Sequence, residues 1–426
     1  MTRPTKAWKA IALAGVAALA LAACGGSDDD TSSDTSESAL PKGDGTLTIG
    51  TLLPQTGSLA FLGPPEFAGV DLAAKEINAA GGVLDKDVVV IDGDSGDTST
   101  NIASQTVDRL LSEDADTIVG AASSAVTLTV LDKVVGAGVV QFSPANTSIK
   151  LSTYPDEGLY FRTAPPDTFQ GAVLGNLVAE DGNATAAVLA LQDAYGEGLA
   201  KTFGDAFSEA GGSVTETIIY DPKAADYAAD VAKIAATNPD AVALIGFDES
   251  AKIVAELIKQ GIGPQTKKLY LVDGNLSNTL FKDLPAGTMN GTKGTTPGAA
   301  APEDFRASLL EVDPSLTDFS YAAESYDAVN LIALAAQAAG SDNGLAIAAK
   351  LVEVSEGGEK CSNFADCKKL LDEGEDIDYE GVSGPCDLAE NGDPKKATMG
   401  IYQYGADNKF ASKAIKYVTG DVPAAS

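Results

Sequence analysis

Five polar clusters stand where runs of apolar and β-branched residues end. Ser123-Ser124 follow a run ending at Gly120, Ser143 to Thr147 follow Phe142, Asp193 to Tyr195 follow Leu191, Phe247-Asp248 follow Ile245, and Asp273 follows Val272. Ser123 and Ser124 also precede a helical pattern, so their hydroxyls and the first free backbone N–H groups point at one spot, which suits a carboxylate. Taken singly, each cluster also reads as helix caps and loop polarity. The chain has no histidine, which removes His-based triads, His acid/base catalysis and His-bearing zinc sites together. No phosphate-binding G-x-x-x-x-G-K-[ST], no strand followed by G-x-G-x-x-G and no G-x-S-x-G elbow occurs. Asp94 and Asp97 are close enough for paired-carboxylate chemistry, but in so acidic a chain they read as solvated loop residues or caps. The residues thus point to binding, with no catalytic group, cofactor or metal expected.

The elements that must position these clusters alternate in type. Strands are predicted over 47–53, 88–91, 117–120 and 139–142, separated by amphipathic stretches carrying Phe67, Val70, Ala74 and Ile77, then Ala103, Val107, Leu110 and Leu111, then a helix after Ser124. The unit repeats with strands over 186–191, 241–245 and 269–272 and helices over 196–210 and 226–237, plus one holding Ile253, Val254, Leu257 and Ile258. After Asn290 the chain turns Gly/Thr/Pro-rich and then helical over 322–339 and 344–355, with no fresh strand series, so it reads as completing an earlier domain. This is an α/β pattern of two similar halves with parallel-type sheets. In such sheets ligands sit beyond the carboxyl ends of the strands, where every cluster above is placed, and two halves face to face would enclose a small molecule.

Composition sets the compartment. Arg3, Lys6 and Lys9 precede the apolar stretch 10–20, too short for the roughly 20 residues of a membrane span. Leu21-Ala22-Ala23-Cys24 then resembles the lipobox of a bacterial lipoprotein signal. Residues 1–23 are therefore expected to be removed and Cys24 lipidated, anchoring the chain to the outer face of the cell membrane. An uncleaved anchor or a soluble secreted form would export it too. Residues 24–45, rich in Ser, Asp, Thr and Gly, read as a disordered acidic leash, and roughly 380 residues remain, enough for two domains. The 29 basic and 61 acidic residues give a formal charge of −32, and losing the three leader cations lowers it further. Nucleic acid is an unsuitable partner for such a surface. In an exported protein Cys361 and Cys367 are most simply a local disulfide, with free thiols or a pairing through Cys386 as alternatives.

The strings IGTLLPQTGSLAFLG, AAKEINAAGGV, SS followed by SPANTS, YFRTAPPDTFQG, DAYGEGLA, NPDAVALIG, SYDAVNLIA and YEGVSGPCDL with NGD occur in order across residues 46 to 410. In that order the chain resembles the Leu/Ile/Val-binding lipoproteins and periplasmic proteins that feed ABC importers. The resemblance implies a type I periplasmic binding protein: two Rossmann-like lobes, 46–164 plus 297–398 and 165–296 plus 399–426, joined by a three-strand hinge near Pro165, Pro297 and Met399. It implies that Ser124 and Thr147 hold a ligand carboxylate, that the Ala145 carbonyl and Asp273 receive its ammonium, that Tyr195 and Phe247 cover it, and that Leu62 lines the side-chain pocket. This chain has Asp at 273 where Glu is common, Phe247 without a tyrosine hydroxyl, and Leu62 where an aromatic residue is frequent. The resemblance also favours the Cys361–Cys367 disulfide and a buried, unreactive Cys386.

The expected function is a monomeric, lipid-anchored extracytoplasmic receptor for a branched-chain or related aliphatic amino acid, serving an ABC permease. A receptor for amides, urea or aromatic compounds on the same fold, and a ligand-sensing module for a signalling partner, are the rivals.

Overall fold

The computed structural model describes residues 41–424. The leader and Cys24 lie outside them. The first half runs β1 (Thr48–Leu52), α1 (Gly63–Ala79), β2 (Val89–Ile91), α2 (Ile102–Ser112), β3 (Thr117–Gly120), α3 (Ser124–Gly136), β4 (Val140–Ser143) and β5 (Tyr160–Arg162). The second runs α4 (Asp167–Glu180), β6 (Thr185–Leu191), α5 (Ala194–Glu209), β7 (Ser213–Tyr220), α6 (Ala228–Thr237), β8 (Ala241–Ile245), α7 (Ser250–Lys259), β9 (Lys268–Val272) and β10 (Lys293–Pro297). There follow α8 (Glu303–Val312), α9 (Ala322–Ala339), α10 (Gly344–Ser355), β11 (Glu359–Cys361), α11 (Phe364–Glu373), β12 (Ile377–Tyr379), β13 (Lys396–Gln403) and β14 (Lys416–Asp421).

The first sheet is all parallel in the order β2-β1-β3-β4-β5. Both faces are covered, as an all-parallel sheet requires. On one side Ile49, Val119 and Phe142 pack with Val70 and Ile77 of α1 and Val329 and Ile332 of α9. On the other, Leu52 and Ile118 pack with Val107 and Leu110 of α2 and Val126 and Val130 of α3. The second sheet has the order β14-β13-β10-β9-β8-β6-β7 and a separate core that includes Val188, Leu244, Leu271, Phe203 and Phe207. In each sheet the strand order reverses once, between β1 and β3 and between β6 and β8, and a crevice opens at the carboxyl ends there. The fold is therefore α/β with two Rossmann-like lobes. Helices α4 and α5 approach closely because Gly171 and Gly175 present no side chain: a Cβ at Gly171 would lie 2.1 Å from Thr202 Oγ1 and one at Gly175 2.7 Å from the Phe207 nitrogen.

The structure departs from the sequence reading at several points, among them β5 and β7, which no predicted strand covers. Beyond Asn290, where composition gave no strand series and the resemblance implied only hinge strands near Pro297 and Met399, the chain forms β10 and β13 at those two places and adds β11, β12 and β14. Of these, β13 pairs antiparallel with β10 and β14, so the second sheet is mixed; Met399 lies inside β13 opposite Pro297. At the other end of the chain, residues 41–45, assigned to the leash by composition, are tied to the fold. Ser341 Oγ donates to the Pro41 carbonyl at 2.7 Å, and the Gly45 and Thr46 N–H groups both donate to Asp342 Oδ2. Cys361 and Cys367 form a disulfide between β11 and α11 with Cα atoms 5.3 Å apart, and Cys386 is buried as a free thiol.

Candidate functional site

The seven residues singled out as ligand contacts, Leu62, Ser124, Ala145, Thr147, Tyr195, Phe247 and Asp273, all line one cavity between the two sheets. Each reaches it from a carboxyl end: Leu62 beyond β1, Ser124 beyond β3, Ala145 and Thr147 beyond β4, Tyr195 beyond β6, Phe247 beyond β8 and Asp273 beyond β9. The cavity measures about 10 Å³, room for about one water molecule.

At the first-lobe end, unspent hydrogen-bonding capacity is directed by the loop after β4. Ser123 caps α3, accepting from the Val126 N–H, while Ser124 Oγ accepts from the Ser148 N–H at 3.2 Å and keeps its own proton to donate. Asn146 anchors the loop by donating to the Ala121 and Ala122 carbonyls at 2.9 and 2.8 Å. Arg162, fully buried, donates through Nη1 to the Asn146 and Ser148 carbonyls on either side of Thr147, through Nη2 to Ser152, and through Nε to Asp393 at 2.7 Å. Those bonds fix the backbone at Thr147. Among the described residues, the Thr147 N–H has no acceptor and the Ala145 carbonyl no donor. The loop also spans the lobes, because Ser148 Oγ donates to the Ala194 carbonyl at 2.7 Å and the Asp167 N–H to the Thr147 carbonyl at 2.6 Å.

At the second-lobe end Asp273 is held by three neutral donors. Tyr195 and Gln170 donate to Oδ1 at 2.7 and 2.8 Å, and Tyr321 donates to Oδ2 at 2.7 Å. Burial pushes the carboxyl above its usual range while these donors pull it back. The Tyr195 and Tyr321 hydroxyls are pushed well up by burial and then by Asp273, so both remain donors at neutral pH. Asp193 caps α5 through the Tyr195 and Gly196 N–H groups and sets the Tyr195 position; burial lifts its carboxyl to about 6. The Tyr195 and Phe247 rings stack at 5.7 Å and form an apolar wall opposite Leu59, Leu62 and Ala122.

Sequence reasoning missed Tyr321, Gln170, Arg162 and Asp167. Arg162, Asp167 and Gln170 lie in YFRTAPPDTFQG and Asp393 in NGD, strings noticed for resemblance but given no role; Tyr321 carried no signal beyond preceding a helix. Asp167 opens α4 and is fully buried, and among the described residues it forms no ion pair. Burial and then Asp273 push it well above its usual range, with Thr147 and Arg162 opposing. Asp94 and Asp97 behave as turn residues, as expected: Asp94 accepts from the Gln55, Thr56 and Gly96 N–H groups, and Asp97 from the Ser99 N–H and hydroxyl.

Among the described residues, no helix is long and apolar enough to cross a membrane. The chain is similar to the "Chemotactic signal transduction system substrate-binding protein BasB" of Halobacterium salinarum, 28% identical over 80% of this chain and 83% of that protein. It is similar to the Leu/Ile/Val-binding protein homolog 1 of Brucella abortus, 27% identical over 85% of this chain and 92% of the relative. Among solved structures it resembles the branched-chain amino acid transporter substrate-binding protein LivJ of Streptococcus pneumoniae in complex with isoleucine, with TM-score 0.70 and 23% identity over 88% of this chain and 99% of that one. It also resembles an R. palustris ABC-transporter solute-binding protein in complex with 4-hydroxybenzoate, with TM-score 0.73 and 16% identity over 89% of this chain and 98% of the other. Residues 46–407 match the periplasmic binding protein family, and the chain belongs to it.

Proposed function

We propose that this protein is an extracytoplasmic receptor for a branched-chain or related aliphatic α-amino acid, delivering it to an ABC permease in the membrane. The observation that carries the reading is polarity along one cavity. Donors without partners stand at Ser124 and Thr147, acceptors stand at the Ala145 carbonyl and Asp273, and Leu59, Leu62 and Ala122 form an apolar flank. A carboxylate fits the donors, an ammonium the acceptors, and an aliphatic side chain the flank. Charge-assisted hydrogen bonds in so dry a site are strong. Ligand contacts from both lobes would stabilise closure, with 46–164 plus 297–398 moving against 165–296 plus 399–426. The receptor acts as a monomer held to the membrane through lipidated Cys24.

A second reading is a receptor for aromatic acids, favoured by the stacked Tyr195 and Phe247 and by the fold shared with the 4-hydroxybenzoate complex. Such a ligand brings no cation to Asp273. A thermal-shift screen of amino acids, amides and aromatic acids tests the assignment. A ligand at a hundred times its Kd stabilises the folded state by about 2.7 kcal/mol. If aliphatic amino acids leave the melting temperature unmoved while another class raises it, the ligand assignment is wrong.

A further inference from the structure

Tyr321 lines two cavities. The second, of about 130 Å³, lies between the β10–α8 connection, the start of α9, and Tyr402 and Phe410 of the opposite lobe. Glu324, in the first turn of α9, is 4% exposed and lines it. Among the described residues, no other residue donates a hydrogen bond to its carboxyl and no Lys or Arg pairs with it. The backbone makes room for that carboxyl: a Cβ on Gly298, whose φ is +111°, would lie 2.4 Å from Glu324 Oε1. Glu66, fully buried with neither carboxylate oxygen partnered, is pushed well above the usual carboxylate range by burial and then by Glu324. Burial, with Asp327 behind it, lifts the Glu324 carboxyl to about 8. Lys396 lines a smaller cavity that also includes Glu324, without pairing with it.

Across the same cavity Arg306 of α8 donates one guanidinium N–H to Ser412 Oγ at 2.7 Å and, among the described residues, forms no ion pair. Asp318, the other acid in the lining, accepts the N–H and hydroxyl of Ser320, both on Oδ1. Tyr402 and Phe410, 5.2 Å apart edge to face, supply an apolar wall. A buried acid without a donor, a guanidinium without a carboxylate and two aromatic rings thus converge on one space, which is built for a small molecule with a charge at each end.

We infer that this hinge-side cavity is a second ligand site, distinct from the interlobe cleft, which takes a small zwitterion with its ammonium on Glu324 and its carboxylate on Arg306. Coupling to the cleft runs through Tyr321, which separates the cavities and bonds Asp273. Such coupling is reciprocal: each ligand changes the affinity of the other by the same factor.

The test uses the purified chain with the cleft disabled by Ser124→Ala and Asp273→Ala, so that the cleft's own ligand preference does not enter. Alanine and γ-aminobutyrate serve as zwitterionic probes, butylamine and butyrate as single-charge controls, read by thermal shift and calorimetry. At least one zwitterion is expected to bind, with each control at least tenfold weaker. Adding Glu324→Gln, which keeps shape and removes charge, or Arg306→Gln, at a half-buried position, should each weaken that binding at least tenfold without lowering the ligand-free melting temperature by more than a few degrees. A cleft-disabled protein that responds to no zwitterion, or a response that survives either substitution, overturns the inference.

Discussion

The Tyr321 hydroxyl donates to Asp273 Oδ2 at 2.7 Å, from a helix packed on the first sheet to the end of a strand in the second. Asp273 Oδ1 already receives Tyr195 and Gln170, so Oδ2 is where an ammonium would join Tyr321. Tyr321 sits just before α9 with φ 62°, a left-handed conformation that costs a non-glycine residue free energy unless its surroundings hold it. The bond to Asp273 is part of what holds it, and the same bond links the lobes.

Tyr321→Phe keeps the ring and removes only the hydroxyl. A hydrogen bond to a charged group contributes about 1.5–3 kcal/mol, so ligand affinity is expected to fall roughly 10- to 150-fold. Calorimetry on the variant measures this, and unchanged affinity would remove Tyr321 from the closing mechanism.

Asp273→Asn removes the charge and keeps an acceptor for only one of the two phenols, since Tyr195 and Tyr321 donate to different oxygens. Truncating one partner of a buried charge pair costs roughly 2–5 kcal/mol, so an aliphatic amino acid should lose about 30-fold or more in affinity. An aromatic acid, which has no ammonium to lose, should bind as well as before or better. Titrating leucine and benzoate against wild type and variant separates the two proposed ligand classes, and retained leucine affinity contradicts the ammonium assignment.

How much of this was legible in the residues depended on what each signal measured. β3 and β8 were read to the residue because they are buried on both faces and continuously apolar. β7 escaped because an edge strand reading SVTETIIY leaves much of its length exposed and carries no such run. β13 was reached only through the resemblance, as a hinge strand near Met399, because its Gly, Thr and Lys residues resemble a loop and only pairing with β10, distant in sequence, makes it a strand. The cleft was legible because carboxyl ends converge by topology. Tyr321 was not, since it reaches the site from a helix start across the lobes rather than from a strand end. Arg162 was hidden similarly: its partner Asp393 lies in a different part of the chain, and no local pattern announces that pair.

Asp393→Ala leaves the Arg162 guanidinium buried without its counter-charge. Breaking a buried pair in this way costs about 3–5 kcal/mol, so a clear fall in melting temperature is expected. Because Arg162 also holds the carbonyls on both sides of Thr147, ligand affinity should fall as well. Asp393→Asn keeps an acceptor for Nε and should recover part of both losses. Denaturation and ligand titration on the two variants check the ordering, and an Ala variant with wild-type affinity would sever the pair from the site.

The start of the folded chain carries its own pH response. Asp116 accepts the Thr48 N–H at 2.8 Å, and burial first, then Asp342, Asp44 and Asp114, raises its carboxyl to about 7. In the unfolded chain it ionises near the ordinary value of 3.8. Between those two values the folded state holds a proton that the unfolded state has lost, so this group makes stability fall as pH rises from about 4 to about 7. Asp193, raised to about 6, acts in the same sense. Asp116→Asn keeps an acceptor for Thr48 while removing the ionisation. Its melting temperature should therefore equal or trail wild type at pH 4, exceed it at pH 8, and drop less between them, with the residual drop left to Asp193 and its like. Thermal unfolding at the two pH values decides it: an identical drop in both proteins would show that Asp116 ionises in the fold as easily as in water.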